Sequence, residues 1–141
     1  MARSFDAIND KIEATLTSGQ AAITVFSISV WIYVISMGEG SVGYIFSKYS
    51  GADQKYRWST ENSFSNNRIR FVVKFTGGFG GWHPDYIISN NFNKWIHIAL
   101  TYNSGATSND PVFYIDGTQT ALVNDTTNPP SGTFDTAGTT F

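Results

Sequence analysis

The densest set of residues able to do chemistry lies in GGFGGWHPDY, residues 77–86. Trp82, His83, Asp85 and Tyr86 fall within five positions there. An exposed indole beside a carboxylate and an imidazole suits a sugar. The indole stacks on the C–H face, while Asp85 and His83 bond hydroxyls. Tyr56 and Trp58, in QKYRWST, extend that surface if their strand is adjacent. The four glycines open backbone conformations closed to other residues, and Pro84 lacks a donor for a regular central strand. The stretch therefore reads as a loop or a bulged edge that presents Trp82. The other reading is that Trp82 folds back and caps the open end of a core.

Catalytic chemistry finds less support. Hydrolysis of a glycosidic bond needs two carboxyl groups close together, one as acid and one as nucleophile or base. The glutamates are Glu13, Glu39 and Glu61, and none has an acidic residue at an alternate position of the same strand. No serine sits in a nucleophile elbow. The chain contains no cysteine, which removes disulfide frameworks and thiolate metal sites. The expectation is a protein that is not an enzyme.

The elements that must hold these residues are strands. In RIRFVVKF (68–75), Ile69, Phe71, Val73 and Phe75 share one face and Arg68, Arg70 and Lys74 the other. In VFSISVWIYVIS (25–36), Phe26, Ile28, Val30, Ile32 and Val34 line one face. The opposite face, with Trp31, Tyr33 and Ile35, reads as partly covered. KWIHIALTY (94–102) has apolar residues on both sides, as a central sandwich strand does. Within it His97 reads as a core histidine satisfied by a hydrogen bond, and Trp31 and Trp95 as core. Shorter strands are predicted at 10–16, 43–49, 55–60, 85–89, 111–116 and 119–123. Asp116-Gly117 is the strongest hairpin signal. A helix at 6–16 is argued against by its β-branched residues and broken apolar stripe.

At 141 residues the chain reads as a single domain, 1–141. Charged residues make up 14%, aromatics 16%, and the net charge is -2. That balance gives no electrostatic case for nucleic acid or an anionic membrane. No run is apolar enough for membrane insertion, and MARSFDAIND is not a signal peptide as written. Asn124-Asp125-Thr126 is a glycosylation sequon, meaningful only for a secreted eukaryotic chain.

SFDAINDKIE, FSISVWIYV, YIFSKY, WIHIALTYN and VFYIDGTQTA occur in that order. Together, across residue 4 to about 123, they resemble the laminin-G-like jelly rolls of the concanavalin-A-like lectin/glucanase superfamily. The resemblance implies an all-β, antiparallel two-sheet β-sandwich. It is much less specific for function, because this fold hosts lectins, glycosidases, adhesion modules and structural pieces. The glucanases of the superfamily carry two glutamates spaced as E-x-D-x-x-E, a pattern without a counterpart here. Members often hold Ca²⁺ near the sandwich rim, and Asp6, Asn9 and Asp10 offer oxygen ligands there. No cofactor is required on this reading. A simple Asx turn is the competing account of FDAIND.

The family's last strand has no counterpart after GTFDTAGTTF. This leaves SFDAI without a partner. Three outcomes are open: the tail 133–141 folds back, a second copy donates a strand, or the chain is C-terminally incomplete and a parent chain completes the sheet. The expected function is a non-catalytic carbohydrate-binding or adhesion module. Its partner is a polysaccharide or surface glycan, and its setting is extracellular, on a cell surface or on a virion. A structural or assembly role in a virion or appendage is the rival, and a glycoside hydrolase relative without the glutamate pair is third.

Overall fold

The computed structural model describes residues 23–38, 42–50, 53–62, 67–125 and 130–135. Among the described residues nine strands run in the order β1 (Val25–Tyr33), β2 (Val42–Ser50), β3 (Asp53–Glu61), β4 (Arg68–Phe75), β5 (Gly78–Pro84), β6 (Trp95–Asn103), β7 (Val112–Ile115), β8 (Thr118–Gln119) and β9 (Leu122–Asn124). They form two antiparallel sheets. One has the order β1-β6-β7-β8, the other β2-β3-β4-β5-β9. This is the expected β-sandwich of jelly-roll type. The strand predicted at 10–16, together with SFDAI, lies outside the described residues.

Period two decides which side chains meet between the sheets. Ile96, Ile98, Leu100 and Tyr102 of β6 and Phe113 and Ile115 of β7 point inward. They pack with Tyr56, Trp58, Ile69, Phe71, Val73, Phe75 and Trp82 of the other sheet. Each large apolar side chain fully buried this way contributes about 1.5–3 kcal/mol. Phe26 ties the layers together, 5.3 Å from the Tyr56 ring centroid and 6.1 Å from that of Tyr102.

Asp116-Gly117 forms the expected tight turn between β7 and β8, with φ of 49° and 78°. The predicted strand 119–123 divides in two. β8 stays with β7, while β9 crosses to pair with β5 in the other sheet. Residues 130–135 return to the β4–β5 hairpin. Thr76 N donates to Thr133 O and Gly77 N to Ser131 O, each at 2.9 Å, and Phe134 packs near Tyr56 and Phe75.

The glycine-rich stretch is a strand, not a loop. Phe79 to Trp82 pair in register with Lys74 to Phe71. The predicted strand 85–89 is correspondingly absent: Ile88–Asn91 is a short 3-10 helix. Pro84 is tolerated because it ends β5, where a missing donor costs little.

Candidate functional site

The geometry corrects the sequence-based platform. Trp82 is 1% exposed, so neither face of its indole can receive a sugar ring. It points inward, 6.3 Å from the Phe71 centroid and 5.6 Å from that of Tyr102. A Cβ built on Gly80 would lie 2.1 Å from the indole, so the glycine there makes room for Trp82. Tyr56 and Trp58 are also interior, on β3, which borders β4 and not β5. Trp58 is fully buried and its indole N–H finds no hydrogen-bond partner. Asp85 is exposed and Tyr86 half-buried, and neither is brought beside an exposed indole of its own stretch.

His83 faces the other way from Trp82, on the outer side of the five-stranded sheet, inside a network of charges. Its Nδ1–H donates to Pro84 O at 2.9 Å, and Nε2 faces Asp125 Oδ1 at 3.0 Å and the Arg68 guanidinium. Arg70 bridges the two carboxylates of this face: Nε donates to Asp125 Oδ2 at 2.8 Å and Nη1 to Glu61 Oε2 at 3.2 Å. Glu61 Oε1 accepts from Ser59 Oγ at 2.7 Å and pairs with Arg57 at 2.8 Å. Every member holds another, as buried charges require. Both oxygens of Glu61 are engaged and the residue is 2% exposed, which leaves no face open to a glycosidic oxygen.

The surface that presents aromatic rings is instead the outer side of the four-stranded sheet. Trp31, Trp95 and Tyr33 are 62%, 59% and 47% exposed. The core assignment of Trp31 and Trp95, and the partial covering expected for that side of β1, are both corrected. The cause is sandwich geometry: Phe26, Ile28, Val30 and Ile32 already fill the inner side of β1, so the odd-numbered side chains must face out.

Cross-strand register aligns these rings. Trp31 stands opposite His97 and Tyr33 opposite Trp95, with centroids 5.2 and 5.5 Å apart. His97 is half-buried on this outer face rather than in the core. Its Nε2 shares a 2.7 Å hydrogen bond with Ser29 Oγ, so the imidazole is satisfied and oriented. His97 N donates to Asp116 Oδ1 at 2.8 Å, fixing the turn against the strand.

Further along the same face, Ser29 opposes Ala99, whose other neighbour is Tyr114. Beyond them an open pocket of about 270 Å³ is lined by residues that include Ser27, Thr101, Asn103, Asp110 and Val112. Register puts Val25, Ser27, Thr101, Asn103 and Val112 on the outer side of the sheet, whereas Phe26 and Tyr102, which also line the pocket, pack into the core. A second pocket of about 240 Å³ lies at the end of the sandwich, between the loop 104–107 and the returning segment 132–134.

Among the described residues no group of three or more His, Asp or Glu side chains could hold a metal ion. The calcium candidates Asp6, Asn9 and Asp10 lie outside the described residues, as do Glu13 and Glu39. No helix among the described residues is long and apolar enough to cross a membrane.

Strand order, paired sheets and the five motifs in sequence agree with a family model of laminin-G type, described as the concanavalin A-like lectin/glucanases superfamily, which matches residues 9–140. The chain belongs to this superfamily. No curated protein and no solved structure gives a significant match. Superfamily membership points to a carbohydrate-binding or related module without choosing among them. Sequence reasoning missed the outward aromatic pair because both sides of β1 carry large apolar residues. The available signal was Ser27 and Ser29, which share parity with Trp31 and mark that side as the wet one.

Proposed function

We propose that this domain is a non-catalytic carbohydrate-binding module, and that the outer face of β1 and β6 is its binding surface. The observation that carries the reading is the exposure of Trp31, Tyr33 and Trp95 together on one sheet face, beside the oriented hydroxyl and imidazole of Ser29 and His97. Aromatic faces receive the C–H surfaces of pyranose rings, and the polar pair takes hydroxyls. Strand-borne side chains are rigidly spaced, which keeps the ordering cost of binding low. The engaged state of Glu61 supports the non-catalytic part. A polysaccharide of a cell surface or extracellular matrix is the natural partner.

Retention on insoluble polysaccharides tests this. Trp31→Ala and Trp95→Ala should each abolish retention while leaving Tm near that of the parent, because these side chains add little to the core. Equal retention by both variants and the parent would sink the proposal. The rival assembly role draws on Val25 and Ile35, each 64% exposed near the two ends of the same strand. Its mark would be an oligomer in solution that Trp31→Ala dissociates, with no retention on any glycan.

A further inference from the structure

We infer that the binding face takes an extended chain of neutral sugars lying along β1 and β6, gripped at one end by the aromatic rings and at the other by the Ser27–Thr101 pocket. The inference rests on the carbohydrate reading of this face and adds the length, shape and charge of the ligand.

Length follows from register. The outer face presents, in successive rows, Tyr33 with Trp95, Trp31 with His97, Ser29 with Ala99 and Tyr114, and Ser27 with Thr101 and Val112. Ser27 and Trp31 are four residues apart on one strand, about 13 Å at the strand rise. A disaccharide cannot touch both. A longer chain reaches the pocket only by passing over Ser29 and Ala99, where a small side chain and a hydroxyl leave the path open.

Shape follows from the same rows. The contacts lie along a straight two-strand ladder, so a ribbon-like, equatorially linked glycan meets them in turn. A coiled chain would touch the ladder and then leave it. The pocket adds to the hydrogen bonding that Ser29 and His97 offer at the aromatic end. Ser27 and Thr101 offer hydroxyls, and Asp110 offers a carboxylate already held in place by the indole N–H of Trp82 at 2.8 Å.

Charge sets the last limit. Among the described residues, the outer-facing positions of β1, β6 and β7 include no Lys or Arg, and the ionised group lining the pocket is Asp110. A uronic-acid or sulfated chain would bring anions to strand positions that carry no cation, next to the Asp110 carboxylate; the exposed Lys94 stands just before Trp95, off those positions. Neutral sugars carry no such penalty.

The test is isothermal titration of the parent chain with β-1,4-linked di- and hexasaccharides of glucose, xylose and mannose. Maltohexaose is the coiled control and a galacturonic-acid hexamer the anionic one. The expected result is that at least one neutral hexasaccharide binds about tenfold or more tighter than its disaccharide. The Ser27→Val/Thr101→Val double variant, whose β-branched replacements suit a strand, should keep its Tm. It should bind that hexasaccharide only as well as the disaccharide. Equal affinity for di- and hexasaccharide, or a double variant that keeps the advantage, overturns the two-ended face and leaves the carbohydrate reading standing. Preference for maltohexaose overturns the extended shape, and preference for the galacturonic-acid hexamer overturns the neutral assignment. Failure of every hexasaccharide to bind overturns the carbohydrate reading itself.

Discussion

Asp110 accepts a 2.8 Å hydrogen bond from the indole N–H of Trp82, and the same residue lines the pocket beside Ser27 and Thr101. The core indole and the pocket are therefore joined through one side chain. Trp82→Ala should cost about 3–5 kcal/mol in urea denaturation, the range for a large buried aromatic. Asp110→Ala should cost about 1–3 kcal/mol by leaving the indole N–H unpaired. Gly80→Ala should cost about 1–3 kcal/mol through overpacking against the indole. A Trp82→Ala protein as stable as the parent would show that the indole is not part of the core.

In the charge network on the five-stranded sheet one forked side chain joins the two carboxylates. Arg70 reaches both Glu61 and Asp125, whose side chains are 3% and 6% exposed. Removing it takes one cation from two carboxylates with reduced hydration, leaving Glu61 with Arg57 and Ser59 and Asp125 with His83. Arg70→Ala should lose about 3 kcal/mol, the lower end for a broken buried pair, because Arg70 itself is partly solvated. Arg70→Lys keeps the charge but cannot span both partners, and should fall between. Equilibrium unfolding of the two variants checks the order; a Lys variant equal to the parent would refute the bridging role.

Two buried phenols set an alkaline limit. Burial pushes the Tyr56 hydroxyl up from its ordinary 10.0, and burial, then the nearby Asp110 carboxylate, does the same for Tyr102. Both groups keep their protons in the folded chain at a pH where the unfolded chain has begun to lose them. Their stabilising contribution is whole below pH 10 and declines as pH rises from there toward the elevated folded values. The slope is about 1.4 kcal/mol per pH unit for each tyrosine. Tyr102→Phe should roughly halve that decline. It should also cost nothing at neutral pH or stabilise slightly, because the hydroxyl is buried without a hydrogen-bond partner. Urea midpoints measured from pH 7 to 12 would show whether the slope changes.

Strands that alternate apolar with polar residues were readable. Arg68 to Phe75 follows its pattern except at Val72, which is buried on the charged side, and Asp116-Gly117 makes its turn because Asp116 tolerates positive φ and Gly117 accommodates it freely. β5 was hidden for a physical reason. Gly80 and Gly81 carry no side chains, so the alternation that marks a strand vanishes there. The requirement for Gly80 comes from an indole two residues on, which local pattern does not reveal. Parity fixed which residues of β1 share a side but not which side faces solvent, since Trp31 and Phe26 are equally apolar as letters. The bridge from Arg70 to Asp125 joins strands far apart in sequence, and only the sheet order brings them together.

Among the described residues β1 pairs with β6 alone, and its last register partner is Asn103. During synthesis at about 5–20 residues per second, β1 leaves the ribosome several seconds before that partner exists. In that interval Phe26 to Ile32 is an alternating apolar strand that lacks its β6 partner. Strands β2 to β5, joined by successive local hairpins, can pair first and offer their inner face as a temporary cover. Non-local pairing of this kind is slow relative to hairpin closure. Expression temperature and chaperone supply should therefore govern the yield of soluble protein more than the stability of the finished sandwich does.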